Sequence, residues 1–198
     1  MAIFMIRPGE TDYDIQNRLQ GRLNLPLTER GMTQVDDVIG EVRDAGIDRI
    51  YSGPNEPALS SAKRIATELD VPLKILDDLA NVDLGLWQGL CVSEIRNKQP
   101  RVFRQWEECP GSVCPPHGEA GTTVCDRVAA ALKKPLKKGG CFAIVASEPL
   151  ASLIECQVRG ETPDLSDSFD QRQHTGSWRE IVVEKNGHSN GVGHERGI

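Results

Sequence analysis

No stretch of this 198-residue chain approaches the roughly 20 consecutive apolar residues needed to span a bilayer, which excludes a helical membrane anchor. The apolar opening, Met1 to Ile6, is too short for a signal-peptide core, and Arg7 and Glu10 follow it at once. A cytoplasmic protein with no membrane partner is therefore expected. Positive charge is in deficit: 23 Lys and Arg stand against 29 Asp and Glu, a formal net charge of −6. A phosphate backbone needs an excess of cations on one face, so no nucleic-acid partner is expected. The local exception, Lys133, Lys134, Lys137 and Lys138, reads as a solvated helix end lying at the negative pole of the helix dipole.

The six cysteines lack any paired CxxC spacing. A reducing compartment would keep all of them as thiols, and Cys141 and Cys156, set among apolar neighbours, read as core. Cys109, Cys114 and His117 cluster in a loop, but no fourth ligand follows at zinc spacing. Neither a metal nor another cofactor is expected. Internal repeats are absent as well.

What remains is a composition of 38% hydrophobic and 26% charged residues, that of a soluble globular chain. Its length suits one domain that can bury a core without disulfides or a structural metal. That domain is expected over residues 1–185. The tail at 186–198, rich in Gly, Ser, Asn and His, is expected to fray; its His188 and His194 are not read as metal ligands.

Ala2 to Ile6 is an unbroken apolar run, the pattern of a strand buried on both faces. Thr28 caps a helix in which Met32, Val35, Val38 and Val42 recur at helical spacing, ending near Gly46. Asp48 to Ser52 is a second strand. Leu59, Ala62, Ala66 and Leu69 mark another amphipathic helix, and Leu73 to Leu76 a third strand. The Pro- and Gly-rich segment 109–121 reads as a loop insertion. Helical periodicity resumes from Glu119 to Leu132, Phe142 to Ala146 is a buried strand, Leu150 to Val158 a helix, and Trp178 to Glu184 a late strand. Strands alternating with helices predict an α/β fold with a mainly parallel central sheet, whose ligands sit at the carboxyl ends of the strands.

Arg7-Pro8-Gly9-Glu10-Thr11, directly after the first strand, resembles the Arg-His-Gly-Glu-Thr signature of the histidine phosphatase superfamily, which includes cofactor-dependent phosphoglycerate mutases. Arg18, Gln20 and Gly21, then Pro26-Leu27-Thr28 with Gly31 and Gln34, continue that family's pattern at its usual spacing. Ile50-Tyr51-Ser52 with Pro54 and Ala58, Gly85-Leu86-Trp87-Gln88-Gly89, Pro115-Pro116 with Glu119, Arg127 and Val145-Ala146-Ser147 follow in order. The resemblance covers about residues 2 to 185 and implies a three-layer α/β/α sandwich.

The family passes a phosphoryl group onto a histidine nitrogen, which requires a neutral imidazole and cationic donors around the phosphate oxygens. Four of the five core positions depart from this. The nucleophile's place is taken by Pro8, whose amide nitrogen has no free lone pair. The second arginine aligns with Pro57, the acid that protonates the leaving group with Asn81, and the second histidine with Glu148. An amide cannot act as a general acid. Only Arg7 remains of the charged clamp, and a further phosphate contact aligns with Asp14. Two like charges about 4 Å apart repel by roughly 4 kcal/mol at an effective dielectric of about 20, so a phosphate dianion beside Glu148 is poorly held.

These substitutions predict a pseudoenzyme that binds an unknown protein partner or a small non-phosphate ligand, with oligomerisation left open. Arg7 is expected to pair with Glu148, and Gly9, Glu10, Asp14, Gln20 and Gly21 to complete the pocket. Trp87 and Trp106 read as packing residues. Two enzymatic readings stand beside this one. In the first, Glu148, Asp14 and Glu10 form an acidic pocket with altered chemistry. In the second, residual phosphatase or mutase activity runs through a relocated histidine such as His117, which otherwise reads as a surface residue.

Overall fold

The computed structural model describes residues 1–109, 114–162, 165 and 175–181. At its centre lies a five-stranded sheet of β1 (Ala2–Ile6), β2 (Arg49–Ser52), β3 (Leu73–Ile75), β4 (Cys141–Val145) and β5 (Trp178–Ile181), in the order β3-β2-β4-β1-β5. Pairings β1 with β4, β4 with β2 and β2 with β3 are parallel. β5 closes the β1 edge antiparallel, with Ile3 opposite Ile181.

Side chains alternate across a strand, and here both faces are buried. Ile3, Met5, Tyr51, Phe142 and Ile144 point to one side, Phe4, Ile6, Ile50, Ala143 and Val145 to the other. The second side is covered by α2 (Glu29–Val42) and α3 (Ala58–Glu68). On the first side lie α6 (Gly121–Lys138) and α7 (Leu150–Arg159), which place Val124, Val128, Leu132, Leu153 and Ile154 against the sheet. Helix, sheet and helix thus form the three layers that the resemblance implies.

α2 begins where expected: the Thr28 hydroxyl accepts from Gly31 N at 2.9 Å. Its buried stripe is Val35, Val38, Ile39 and Val42, while Met32 is 44% exposed and stands outside it. In α3 the expected Ala62 and Ala66 are buried together with Ala58, Ser61 and Ile65, Leu69 packs half-buried against that layer, and Leu59 stands at its margin. α6 runs on through Pro135 to Lys138, so the lysine cluster does form a helix end.

α1 (Asp12–Ile15), a single turn, follows the loop after β1. In the same layer as α6, α4 (Val92–Lys98) and α5 (Pro100–Glu108) bring Ile95, Phe103 and Trp106 against Trp87. The Trp87 and Trp106 rings meet edge to face at 5.5 Å, and both are fully buried, which makes them packing residues as expected. The expected tail from Asn186, with His188 and His194, and the late strand beyond Ile181 lie outside the described residues. No helix among the described residues is long and apolar enough to cross a membrane.

Candidate functional site

Because β1, β2 and β4 run parallel, the loops that follow them emerge at one edge of the sheet. They enclose a small crevice that is partly open to solvent. Arg7, Pro8 and Gly9 line it from the end of β1, Asp14 from α1, Gln20 from the next loop, Pro57 from the start of α3 and Glu148 from the end of β4. Ser147, read above only as one of the family landmarks, and Thr175, not singled out, join them. Seven of the ten positions named above therefore meet here; Glu10, Gly21 and Asn81 do not line it.

Arg7 is 4% exposed and held by its own chain. Its Nε donates to Glu148 Oε1 at 2.6 Å, and its Nη1 forms an ion pair with Glu155 Oε1 at 3.0 Å. Burial pulls its pKa down, but the attraction of Glu148 and Glu155 outweighs this and leaves it raised. The second oxygen of Glu148 accepts from Ser152 N at 3.2 Å, in the first turn of α7. A helix start and an arginine are what an oxyanion would seek, and here a side-chain carboxylate takes both. The expected pairing of Arg7 with Glu148 is thus present.

Glu155 was not singled out. It lies within α7, seven residues after Glu148, which precedes that helix, and it reaches Arg7 from the side opposite the Glu148 contact to Nε. Its Oε2 also faces Arg179 of β5 at 3.3 Å and Arg159 at 3.8 Å. A single glutamate among Leu150, Leu153, Ile154 and Val158, all buried, was the available signal.

Asp14 is a capping residue rather than a phosphate contact. Its Oδ2 accepts from Thr11 N and Thr11 Oγ1, both at 2.7 Å, closing the start of α1. Burial raises its pKa above the ordinary carboxyl range; the Thr11 hydrogen bonds oppose this and nearby Glu10 adds to it. Glu10 itself turns away from the crevice. Its Oε1 accepts from Thr28 Oγ1 at 3.2 Å and its Oε2 lies 3.9 Å from Arg30. The acidic catalytic pocket of Glu148, Asp14 and Glu10 therefore loses one member by direction, and a second, Glu148, to Arg7.

Gly9 makes the close packing of this loop feasible. A Cβ on it would lie 2.0 Å from the Gly31 carbonyl oxygen, so the loop rests directly on the first turn of α2. Gly21 adopts φ +57° beneath Gln88, away from the crevice. Gln20 donates from Nε2 to Glu56 O at 2.9 Å and Leu23 O at 3.2 Å, tying two crevice loops together.

Asn81 lines a smaller adjoining hollow with Ser147. It is fully engaged: Nδ2 donates to Gly21 O at 2.9 Å and Glu148 O at 3.1 Å, and Oδ1 accepts from Val82 N at 2.8 Å. Arg127 and Glu119 form a bracket outside it, with Arg127 Nη1 donating to the Asp78 and Ala80 carbonyls. These landmarks hold backbone, not ligand.

His117 is exposed, at φ +59°, and does not line the crevice, which places it at the surface as expected and removes it as a relocated nucleophile there. Among the described residues no group of His, Cys, Asp and Glu could hold a metal ion.

Residues 3–190 match the family model described as histidine phosphatase superfamily, branch 1. The chain is 34% identical over 127 residues to the Bifunctional protein Rv2228c of Mycobacterium tuberculosis, a stretch that is 64% of this chain and 35% of that protein. It is 31% identical over 138 residues to Phosphoserine phosphatase 1 of Hydrogenobacter thermophilus, 70% of this chain and 65% of the relative. The match thus spans between about a third and just under two thirds of these relatives' own length. Among solved structures, mycobacterial glucosyl-3-phosphoglycerate phosphatase Rv2419c in complex with VO3 shares the fold at a TM-score of 0.78, with 21% identity and 90% of each chain covered. Motif order, layered fold and family match agree, and the chain belongs to the histidine phosphatase superfamily, branch 1.

Proposed function

We propose that this chain is a pseudoenzyme of its family, one that acts by binding rather than by phosphoryl transfer. The observation that carries the reading is the Arg7 to Glu148 contact at 2.6 Å: the remaining clamp arginine is already neutralised from within. Beside it, Pro8 stands where the resemblance puts the attacking histidine, and a tertiary amide forms no phosphoenzyme. Asn81 supports the reading too. Its amide hydrogens bind two carbonyl oxygens, an arrangement that a carboxylic acid, with one proton at most, cannot reproduce. Relatives named as phosphatases provide the substrates for the test. Purified protein assayed with p-nitrophenyl phosphate, phosphoserine and a panel of sugar phosphates is expected to show no turnover above the buffer blank. Pro8→His is expected to rescue nothing, since the second arginine and the acid are still lacking and catalytic groups act as a unit. Turnover at enzymatic rates by contaminant-free protein would overturn the reading.

A further inference from the structure

The ligand class of this crevice can be approached by asking which of its hydrogen-bonding atoms are already engaged. Most backbone donors around it are engaged. Pro8 and Pro57 have no N–H. Gly9 N donates to Ser61 Oγ at 3.4 Å, Glu10 N to Gln34 Oε1 at 2.8 Å and Thr11 N to Asp14 Oδ2 at 2.7 Å. At the helix starts, Ser60 N donates to Glu56 Oε2, Ser152 N to Glu148 Oε2 and Ala151 N to Ser147 O. Gln20 Nε2 is taken by two carbonyls. Arg7 keeps Nη2, on a guanidinium already held between two carboxylates. What is left for an incoming anion is Arg7 Nη2 and the hydroxyls of Ser147 and Thr175, set beside the Glu148 and Asp14 carboxylates.

Acceptors show the opposite pattern. Asp14 is 9% exposed and uses one oxygen, Oδ2, for both Thr11 bonds; among the described residues nothing donates to Oδ1. The Gln20 Oε1 and the Ser147 hydroxyl likewise have no donor among the described residues, and all three side chains line the crevice. Asp14 and Glu148 against Arg7 leave the lining with one net negative charge, and Glu10 stands behind Asp14. The raised pKa of Asp14 is what a buried carboxylate shows when no cation is beside it. Pro8 and Pro57 contribute apolar surface on the same walls.

We propose that the crevice binds a small organic cation, an alkylammonium whose N–H groups are accepted by Asp14 Oδ1, Gln20 Oε1 and the Ser147 hydroxyl while its carbons lie against Pro8 and Pro57. The inference rests on the reading of the chain as a binding protein. A hard divalent metal is a poorer match, because it takes six or more oxygen ligands, more than the acceptors named here supply.

The test is calorimetric titration of the full chain with ethanolamine, ethylene glycol, magnesium chloride and sodium phosphate in turn. Ethanolamine is expected to bind, and its uncharged analogue to bind at least about tenfold more weakly. Asp14→Asn keeps an acceptor for Thr11, so the helix cap survives, and it is expected to weaken ethanolamine by about tenfold or more. Gln20→Ala, checked for native circular dichroism, is expected to weaken it as well. Equal binding of the glycol, undiminished binding by Asp14→Asn, or preference for magnesium or phosphate overturns the proposal. No ethanolamine binding with phosphomonoester turnover still absent overturns this inference alone; turnover overturns the reading beneath it.

Discussion

Truncating Arg7 to alanine would leave Glu148 and Glu155 facing each other in a buried site without their shared cation. Breaking a buried pair in this way typically costs about 3–5 kcal/mol, and urea unfolding of Arg7→Ala is expected to show a loss of that size. Asn81→Asp, the change that restores an acidic group, is expected to cost about 1–3 kcal/mol, because two carbonyls then lose their donor, and to restore no activity. For Asp14 the sign runs the other way. Its pKa is raised in the fold, so the folded chain holds that proton more tightly than the unfolded chain, and stability falls as pH rises from the ordinary Asp range through the raised value. Asp14→Asn is therefore expected to raise the melting temperature at neutral pH and flatten its pH dependence. The Arg7 to Glu148 pair was legible in the sequence because two aligned positions carried opposite charge. The outward turn of Glu10 was not, because Thr28 and Arg30, which draw it away, belong to another element whose placement only the fold supplies.

At the scale of elements, the strands and long helices were legible wherever periodicity met a clear boundary, as at Thr28 and along β1 and β4. α4 and α5 were not read: their apolar content is thin, and Pro100 opens α5 directly after α4 has ended, so no long pattern accumulates. What holds them is tertiary, the cluster of Trp87, Phe103 and Trp106. Trp106→Ala is expected to cost about 3–5 kcal/mol, read by urea unfolding. In α3 the expected Ala62 and Ala66 are buried, and Leu59 was joined to them in place of Ala58 and Ile65 because it outranks alanine in hydrophobicity. Close packing against the sheet favours the small residues Ala58, Ala62 and Ala66, with Ile65 filling the space between.

Across the whole molecule, the two apolar layers share one sheet, whose strands contribute alternate side chains to each. Losing either layer strips one face of β1, β2 and β4 at once, so unfolding is expected to be a single transition. Tryptophans report the two sides separately: Trp87 and Trp106 lie in one layer, and Trp178 packs on Phe4 in the other. Single-tryptophan variants followed by fluorescence in urea are expected to give coincident midpoints, and separated midpoints would show that the layers come apart independently.

The chain of alternating charges from Glu148 through Arg7 and Glu155 to Arg179 ties the ends of β4 and β1 to α7 and β5 beside the crevice. Stripping water from such groups becomes less costly as temperature rises, whereas aliphatic contacts gain little more. The side of the crevice that this chain braces is accordingly the part of this protein best suited to warmth, and on heating the amide hydrogens of α7 and β1 are expected to exchange after those of the loop that carries Gln20.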